Sequence, residues 1–454
     1  RGYVAPGPAD ERLWTQGCAP ALFFSAERTR ATSADVALRT SDGEVAASRS
    51  GSCTYVAPHV GQTLALMMLG RSVENDAVGP GDGTVTLEDG VARAEDGTNL
   101  LFATDRSKAV DQSKPAFLFA HADTVRSILV NAVYEAIEAT GIPAYATWRW
   151  PKNCETVSTV TVDCDEGDQY HVMDVVRSLI NFGQPACWLS KTPGLPQEVC
   201  RLFKNYGHCT GLLFRYDSPQ ALTEQIRSQA VQITRSTGSP VRTFRPDDGK
   251  WTGLTRVYEA ALEADVPLCV AKGGVQPGST GFPFGTCNMF FPVSPQGARI
   301  GTAELPYAIH RPGEVTSLAV AHSLIEETVR QRGCLHTSVR LSSAKAQEPG
   351  LVDLLMRVRE AKFGMFTTDA LVQYEKGRRS LRVDALKEGV RIVSPYDLSG
   401  LTLMLFGGGW EIETSGRQYT MLPVTRHGTL LSSIVLDVPQ RTQTNLFLSG
   451  RLAA

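Results

Sequence analysis

Hydrophobic and polar positions follow three different patterns along the chain. Up to about residue 115, short alternating runs such as TVTLEDGVARA are separated by Asp-Gly turn signals, which is typical of strands joined by hairpins. After that, buried runs alternate with stretches whose apolar residues recur at helical spacing, and near the C-terminus the helical period disappears. We therefore predict a β-rich N-terminal domain over 1–115, an α/β domain over 116–382 and a small β-sandwich over 383–454.

The middle segment contains repeated strand-and-helix units. Apolar β-branched runs predict the strands, and apolar residues three and four positions apart predict the helices. The predicted strands are 157–163, 185–189, 209–214, 241–244 and 267–271, and the predicted helices are 170–181, 195–205, 219–236, 251–264, 316–332 and 350–363. Repeated units of this kind build a parallel sheet, open or closed into a barrel.

Composition and charge exclude several classes of protein. Of the 454 residues, 42% are hydrophobic and 20% are charged, which describes a soluble globular protein. A net charge of -2 without a dense Lys/Arg stripe excludes nucleic acid as a partner. No apolar run approaches the roughly 18 residues that a membrane helix needs. Because the chain begins with Arg1 rather than Met, we expect that a targeting segment is absent from it.

The ten cysteines allow two interpretations. They form no C-x-x-C motif, so a structural zinc ribbon is not indicated. Their even number suits disulfides in an oxidising compartment, as in a secreted or extracytoplasmic protein. Alternatively, those in apolar runs are buried thiols, namely Cys164, Cys187, Cys209 and Cys269. We predict at least one disulfide, with Cys18 and Cys53 in the small N-terminal domain as the pair.

Acidic residues are crowded at the end of one predicted strand. In STVTVDCDEGDQYHV, a β-branched run ends in four carboxylates within six residues, Asp163, Asp165, Glu166 and Asp168. Carboxylates so close together repel one another, particularly near a buried strand. This crowding predicts a bound cation, a catalytic role, or a buried ion network in which a basic side chain such as Arg245 neutralises the acids.

Three motifs, in this order and spacing, resemble the polysaccharide deacetylase (chitin deacetylase-like) family of carbohydrate esterases. They are TVTVDCDEGDQYHVMDVVRSLINFGQPACWLS, YGHCTGLLFRYDSPQALTEQIRSQAVQITRSTGSPVRTFRPDDGKW and GFPFGTCNMFFPVSPQGARIGTAELPYAI. The resemblance covers about half of the chain. It implies that the middle segment is a distorted (β/α) barrel and that the ligand is a polysaccharide or glycoconjugate.

The family hydrolyses acetyl groups with the help of a divalent metal, which polarises the carbonyl and binds the attacking water. Carried over by motif, Asp163 is implied as the catalytic base and Arg245 as the residue that orients it. His336 in CLHTSVRLSSA is the candidate general acid. Asp165 is the candidate metal carboxylate, although Cys164 here splits a pair that is adjacent in the family.

The metal-binding histidines of the family are missing. Its H-x-x-x-H motif falls on Leu213 and Asp217 in GHCTGLLFRYD, with His208 remaining just upstream. The ligand set implied for this chain is thus Asp165, His208 and Asp217, and zinc is less favoured than in the family because imidazoles have been lost. The expected cofactor is either none or a divalent metal, and an oxygen-rich set would suit calcium or magnesium better.

Three hypotheses about function follow from these observations. The first is a polysaccharide deacetylase-like protein that acts on or binds an acylated saccharide, with a degenerate metal site and weak or no turnover. In this case the chain has a binding or structural role, with an assembly partner if it is structural. The second is an active metal-dependent carbohydrate deacetylase with a non-standard ligand set, hydrolysing amide or ester bonds. The third is a different hydrolase on the same barrel, with its carboxylates working without a metal.

Overall fold

The structure is a computed structural model. It describes residues 2–6, 20–26, 36–50, 53–73, 97–109, 114–164, 171–217, 221–407, 409–414 and 417–451. The strands of these residues are β1 (Gly2–Pro6), β2 (Ala21–Phe23), β3 (Val36–Thr40), β4 (Val45–Ser50), β5 (Cys53–Val56), β6 (Tyr145–Thr147), β7 (Val157–Cys164), β8 (Ala186–Ser190), β9 (Cys209–Phe214), β10 (Thr243–Pro246), β11 (Leu268–Cys269), β12 (Ala303–Glu304), β13 (Ile309–His310), β14 (Cys334–Arg340), β15 (Gly364–Met365), β16 (Arg382–Leu386), β17 (Gly389–Val393), β18 (Leu398–Phe406), β19 (Trp410–Thr414), β20 (Arg417–Thr420), β21 (Leu422–Arg426), β22 (Thr429–Val438) and β23 (Gln443–Arg451). The helices are α1 (Val60–Leu69), α2 (His121–Thr140), α3 (Val172–Asn181), α4 (Gln197–Asn205), α5 (Leu222–Thr237), α6 (Arg256–Glu263), α7 (Leu318–Arg330), α8 (Ala344–Glu360) and α9 (Thr368–Arg379). None of these described helices is long and apolar enough to cross a membrane.

The chain divides into two compact units, each assembled from separate stretches of sequence. One unit combines 1–59, 125–155 and 370–454, and the other combines 60–124 and 156–369. The predicted boundaries instead cut the chain into three consecutive domains. They differ because β6 pairs antiparallel with β18 and so joins a segment before the barrel region to the C-terminal strands. The three residues of Tyr145–Thr147 contain no local pattern that would predict pairing with β18.

The larger unit contains a parallel sheet. Its strand order is β12-β11-β10-β9-β8-β7-β14-β13, and β15 also pairs with β7. All of its named strand pairs are parallel, as the repeated strand-and-helix units predicted. Every residue of β7 is buried, which is usual for a strand covered on both faces.

Strong curvature brings side chains of distant strands into contact. Asp163 on β7 and Arg245 on β10 are three strands apart, which in a flat sheet is about 14 Å at the usual strand spacing. Nevertheless Arg245 Nη1 lies 2.8 Å from Asp163 Oδ2, so the sheet curls around its inner face. Among the described strands β12 and β13 do not pair with each other. The predicted distorted barrel is therefore present as a curled, parallel half-barrel.

Helix packing against this sheet follows from apolar spacing. In α3, Val172, Val175, Val176 and Leu179 recur at intervals of three and four residues and are all buried. They share a cluster with Val160 and Val162 of β7 and with residues of α8. This packing fixes the position of β7, which carries Asp163 at its carboxyl end.

The other unit is built from antiparallel sheets. Strands β2-β1-β3-β4-β5 form one sheet near the N-terminus. Two further sheets lie towards the C-terminus, with strand orders β16-β17-β23-β19-β20 and β21-β22-β18-β6. They share one hydrophobic core. The first sheet contributes Ile392, Ile412 and Leu446 to it, and the second contributes Leu401, Leu403 and Val438. Two sheets that share a core form a β-sandwich, which includes the predicted segment 383–454 and in addition recruits β6.

The cysteines of the described residues are free thiols, Cys53 among them. Cys18 lies outside the described residues. The structure therefore does not support the predicted Cys18–Cys53 disulfide. Most of the cysteines on the parallel strands are buried, which agrees with the alternative interpretation of buried thiols.

Candidate functional site

A cavity of about 240 Å³ lies at the carboxyl ends of the parallel strands. This edge is where ligands bind in open parallel sheets, because loops of different strands converge there. The lining residues are Asp163, Leu213, Arg245, Asp247, Asp248, Gly249, Val275, Gln276, Tyr307, His310, Arg311 and Arg340. The lining includes both acidic and basic side chains.

Asp163 and Arg245 form a buried ion pair in the cavity wall, with 9% and 4% of their surfaces exposed. Arg245 Nη1 donates to both carboxylate oxygens of Asp163, at 2.9 and 2.8 Å. Nη1 also donates to Ser338 Oγ at 2.6 Å, while Nε donates to Val270 O and Nη2 to Thr161 Oγ1, both at 2.9 Å. The structure thus brings together the two residues that the resemblance assigned to one function.

The two acids of the FRPDDG motif are also matched by basic side chains. The motif leaves β10 in a tight turn over Asp247–Gly249, in which Asp248 adopts a left-handed backbone with φ of 54°. Asp247 pairs with Lys191 Nζ at 2.9 Å. Asp248 lies 3.7 Å from Arg340 Nη1. Among the described residues, each acid lining the cavity therefore faces a cation supplied by the chain itself.

Two of the expected metal ligands are not at the cavity. His208 precedes β9 at the amino end of the sheet, where its Nδ1 accepts a hydrogen bond from Ala186 N at 2.9 Å and its ring meets Trp188 and Phe203 edge-on. Burial lowers the pKa of His208 to about 4. Asp217 lies in the loop after β9, is largely exposed and pairs with Arg215 at 3.1 Å. This corrects the expected ligand set, of which the third member, Asp165, lies outside the described residues.

His336 is also misplaced for the expected role of general acid. It is the third residue of β14, is fully buried and does not line the cavity. Its Nδ1 lies 3.1 Å from Leu305 O and its Nε2 lies 3.0 Å from Thr161 Oγ1. Burial, reinforced by the charge of Arg245, lowers the pKa of His336 to about 3, so the ring is neutral. The residue of β14 that reaches the cavity is Arg340, four positions later.

The sequence analysis missed several residues of the cavity, above all His310 and Tyr307. His310 ends β13 and its Nδ1 lies 3.3 Å from Ser338 Oγ. Burial, reinforced by Arg245, Arg311 and Arg340, holds the pKa of His310 well below its ordinary value. The Arg245 guanidinium lies 4.7 Å from the centre of the Tyr307 ring. The sequence signal that could have identified Tyr307 and His310 is the short apolar run LPYAIH. It ends at the last residue of a strand, as STVTVDC does.

Among the described residues that line the cavity, no three His, Cys, Asp or Glu donor atoms lie close enough together to share an ion. Leu213 lines the cavity at the position where the family motif has a histidine, and its side chain has no donor atom. In the described part of the chain, the set of three His, Cys, Asp or Glu donors close enough to share an ion is Cys187, Cys209 and Asp369, none of which lines the cavity. The described residues therefore do not fit the family's metal.

No protein-family model and no curated protein matches the chain. Among solved structures, a Mycobacterium smegmatis protein named as a polysaccharide deacetylase matches with 11% identity and a TM-score of 0.38, over 51% of this chain and 93% of its own. The Xyl-CE4 domain of a xylanase from the hindgut metagenome of Trinervitermes trinervoides matches with 12% identity and a TM-score of 0.32, over 49% and 91%. A CE4 family pseudoenzyme from Bacillus anthracis matches with 11% identity and a TM-score of 0.30, over 49% and 66%.

The similarity of the chain to these solved structures concerns the fold. Sequence identities this low, with TM-scores below 0.5, assign no residue role, substrate or activity. The chain is similar in structure to polysaccharide deacetylases over about half of its length.

Proposed function

We propose that the chain is a polysaccharide deacetylase-like protein that binds an acylated saccharide in this cavity and has weak or no turnover. The observation that carries the proposal is the pairing of Asp163, Asp247 and Asp248 with Arg245, Lys191 and Arg340. Of the four crowded carboxylates noted in the sequence, Asp163 is the one that lies among the described residues, and Arg245 neutralises it. The proposed location is secreted or extracytoplasmic, where such saccharides occur.

Metal-assisted hydrolysis is disfavoured by the local electrostatics. Both oxygens of Asp163 already accept hydrogen bonds from Arg245, so a metal ion would have to compete with a guanidinium for them. Two more arginines line the cavity, Arg340, which faces Asp248, and Arg311, which pairs with Glu314. Bringing a divalent cation close to these fixed cations raises its free energy, because screening inside a cavity is weak.

Saccharide binding is supported by the size and polarity of the cavity. Its volume of about 240 Å³ is below the roughly 300–1,000 Å³ of pockets for drug-sized ligands, so a single sugar unit with its acyl group is a suitable occupant. Carboxylates accept hydrogen bonds from hydroxyl groups, and guanidinium groups donate them to carbonyl and hydroxyl oxygens. The presence of both kinds of group in the cavity lining suits a ligand that carries many hydroxyl groups.

The second candidate is an active metal-dependent deacetylase with other ligands. Asp163 favours it, because an ionised carboxylate at a cavity wall is able to accept a proton from water. Asp165, the expected metal carboxylate, lies outside the described residues and remains a candidate ligand.

One set of measurements tests both candidates. Acetylated chito- and xylo-oligosaccharides are titrated into wild type, Asp163→Asn, Arg340→Ala and the control Asp217→Asn, and acetate release is followed with added zinc, cobalt or manganese. We expect binding without turnover in wild type, at least tenfold weaker binding in Arg340→Ala, and no change in the control, since Asp217 does not line the cavity. If no acetylated glycan binds, the saccharide proposal fails. Acetate release that Asp163→Asn abolishes supports the enzyme instead.

A further inference from the structure

Three potential metal ligands meet at the amino ends of the parallel strands, at the opposite edge of the sheet from the cavity. Cys187 is the second residue of β8, Cys209 is the first residue of β9, and the two are direct partners in the parallel register. Asp369 follows β15 as the second residue of α9. One ligand atom of each residue lies within 4.8 Å of the other two.

The spacing of these atoms suits a tetrahedral ion. At a Zn–S distance of about 2.3 Å, two sulfurs bound to one tetrahedral zinc are about 3.8 Å apart. Neighbouring parallel strands are about 4.8 Å apart, so paired cysteines on one face place their sulfurs within reach of such an ion after small rotamer changes. Cys187 and Asp369 are buried and Cys209 is partly exposed, so the cluster lies mostly inside the protein.

The carboxylate is held in place by neighbouring hydroxyl groups. Thr243 Oγ1 donates to Asp369 Oδ1 at 2.8 Å and also contacts Thr368 Oγ1 at 2.8 Å. This hydrogen bond fixes the orientation of the carboxylate and leaves Oδ2 for a ligand, as outer hydrogen bonds do at metal sites. The cation nearest to Oδ2 is Arg242, whose Nη1 is 3.9 Å away.

A glycine keeps space open beside the cysteines. Gly211 lies two residues after Cys209 and so faces the same side of the sheet. A Cβ atom at this position would lie 3.2 Å from Cys187 Sγ and 2.5 Å from Thr243 O. Any larger residue would therefore press on the cluster, and the glycine preserves room around the sulfur.

Charge gives a reason for an ion at this place. Without a cation, two thiols and a carboxyl group packed in an apolar interior are stable only when most of them are protonated. Two thiolates, one carboxylate, one divalent cation and Arg242 together carry no net charge.

We propose that Cys187, Cys209 and Asp369 bind a thiophilic divalent cation of the zinc type at the amino end of the sheet. The ion replaces the two thiol protons, which are released to solvent, and a water molecule completes its coordination. The site ties β8 and β9 to Asp369 and has a structural role. It is independent of the proposed saccharide cavity.

Cobalt and zinc binding test this proposal. Reduced, chelator-treated wild type is titrated with Co²⁺ while the thiolate-to-cobalt charge-transfer absorption is recorded, and Zn²⁺ is then added to displace it. The variants are Cys187→Ser and Cys209→Ser, and the matched control is Cys334→Ser, a buried strand thiol outside the cluster. We expect one ion per chain in wild type and in the control, and at least a tenfold loss of affinity in each cluster variant. Equal binding by wild type and the two cluster variants overturns the proposal, as does the absence of binding in wild type.

A measurement on wild type alone covers the case in which a variant fails to fold. Zinc is expected to slow alkylation of Cys187 and Cys209 selectively, as read from peptide masses after timed exposure to a thiol reagent. Unchanged alkylation of both cysteines overturns the proposal. Recovery of a Cys187–Cys209 disulfide from freshly purified protein overturns the proposal as well, because two sulfurs joined in a disulfide do not bind a metal as thiolates.

Discussion

At the carboxyl ends of the parallel strands each described acid of the cavity faces a lysine or an arginine, whereas at the amino ends two thiols and a carboxyl group are close to a single arginine. Asp163 meets Arg245 at 2.8 Å, but Asp369 and Arg242 are 3.9 Å apart. Both clusters are built from potential metal ligands on the same sheet. The comparison teaches that the number of carboxylates does not identify a metal site, because the cations around them decide whether a metal is needed.

The largest expected effect on stability comes from removing the arginine of the buried ion pair in the cavity wall. Arg245→Ala removes the guanidinium that donates to both oxygens of the buried Asp163, and removal of one member of a buried pair destabilises a protein by about 3–5 kcal/mol. Urea denaturation of the variant and wild type measures the difference. The control is Arg215→Ala, which removes an exposed partner of Asp217 and is expected to stay within about 1 kcal/mol of wild type. A loss below about 1 kcal/mol in Arg245→Ala would mean that Asp163 is not held by this arginine.

The next effect concerns the amino-end cluster. Saturating zinc is expected to raise the free energy of unfolding by about 2.7 kcal/mol when its free concentration is one hundred times the dissociation constant. The increase should vanish in the double variant Cys187→Ser/Cys209→Ser, as measured by thermal and urea unfolding with and without metal. The same double variant should contain no stoichiometric zinc, since no three such donors among the described residues of the cavity lie close enough together to share an ion. Retained zinc there would show that the carboxyl-end cavity binds metal after all.

A pH dependence of similar or smaller size follows from Asp369 in the metal-free protein. Its folded-state pKa of about 6 lies above the ordinary aspartate value of 3.8, so the folded protein binds the proton more tightly than the unfolded chain. Asp369 therefore opposes folding at neutral pH, and this penalty, on the order of 2–3 kcal/mol, is relieved as the pH falls from about 7 to about 4. The groups that face it are Cys209, Thr243 and Arg242.

Comparison with Asp369→Asn isolates this contribution, because the other titrating groups cancel. The stability of wild type relative to the variant should rise on acidification over that range, as measured by urea denaturation at several pH values with a chelator present. A stability difference between wild type and Asp369→Asn that is constant with pH would show that the pKa of Asp369 is the same in the folded and unfolded protein.

The smallest effect tests whether the chain's own cations exclude metal from the cavity. Replacing Lys191 and Arg340 by alanine removes the partners of Asp247 and Asp248. The loss of one nearby unit charge in surroundings of intermediate dielectric is worth about 1–2 kcal/mol, so the loss of both should raise Mn²⁺ affinity at the cavity by more than about tenfold. Equilibrium dialysis in the Cys187→Ser/Cys209→Ser background measures it, with Arg215→Ala as the control. Unchanged affinity would show that these pairs do not govern metal binding.

The sequence by itself determined the parallel unit and one pair of its cavity. Strands β7 to β10 begin and end within about two residues of their predicted bounds, because apolar and β-branched periodicity is a local property. The family resemblance of their motifs assigned Asp163 and Arg245 to one function, and each lies near the carboxyl end of its strand, where such ends converge in a parallel sheet.

Only the tertiary structure decided which other side chains reach the cavity. Periodicity gives a side chain's face but not its distance along the strand, so His336 and His208 were assigned to a cavity that Arg340 and His310 line. Partners far apart in sequence were equally hidden, as with β6 and β18, or Cys209 and Asp369. The physical reason is that strand curvature and register place these groups, and both are set by long-range packing that no local pattern records.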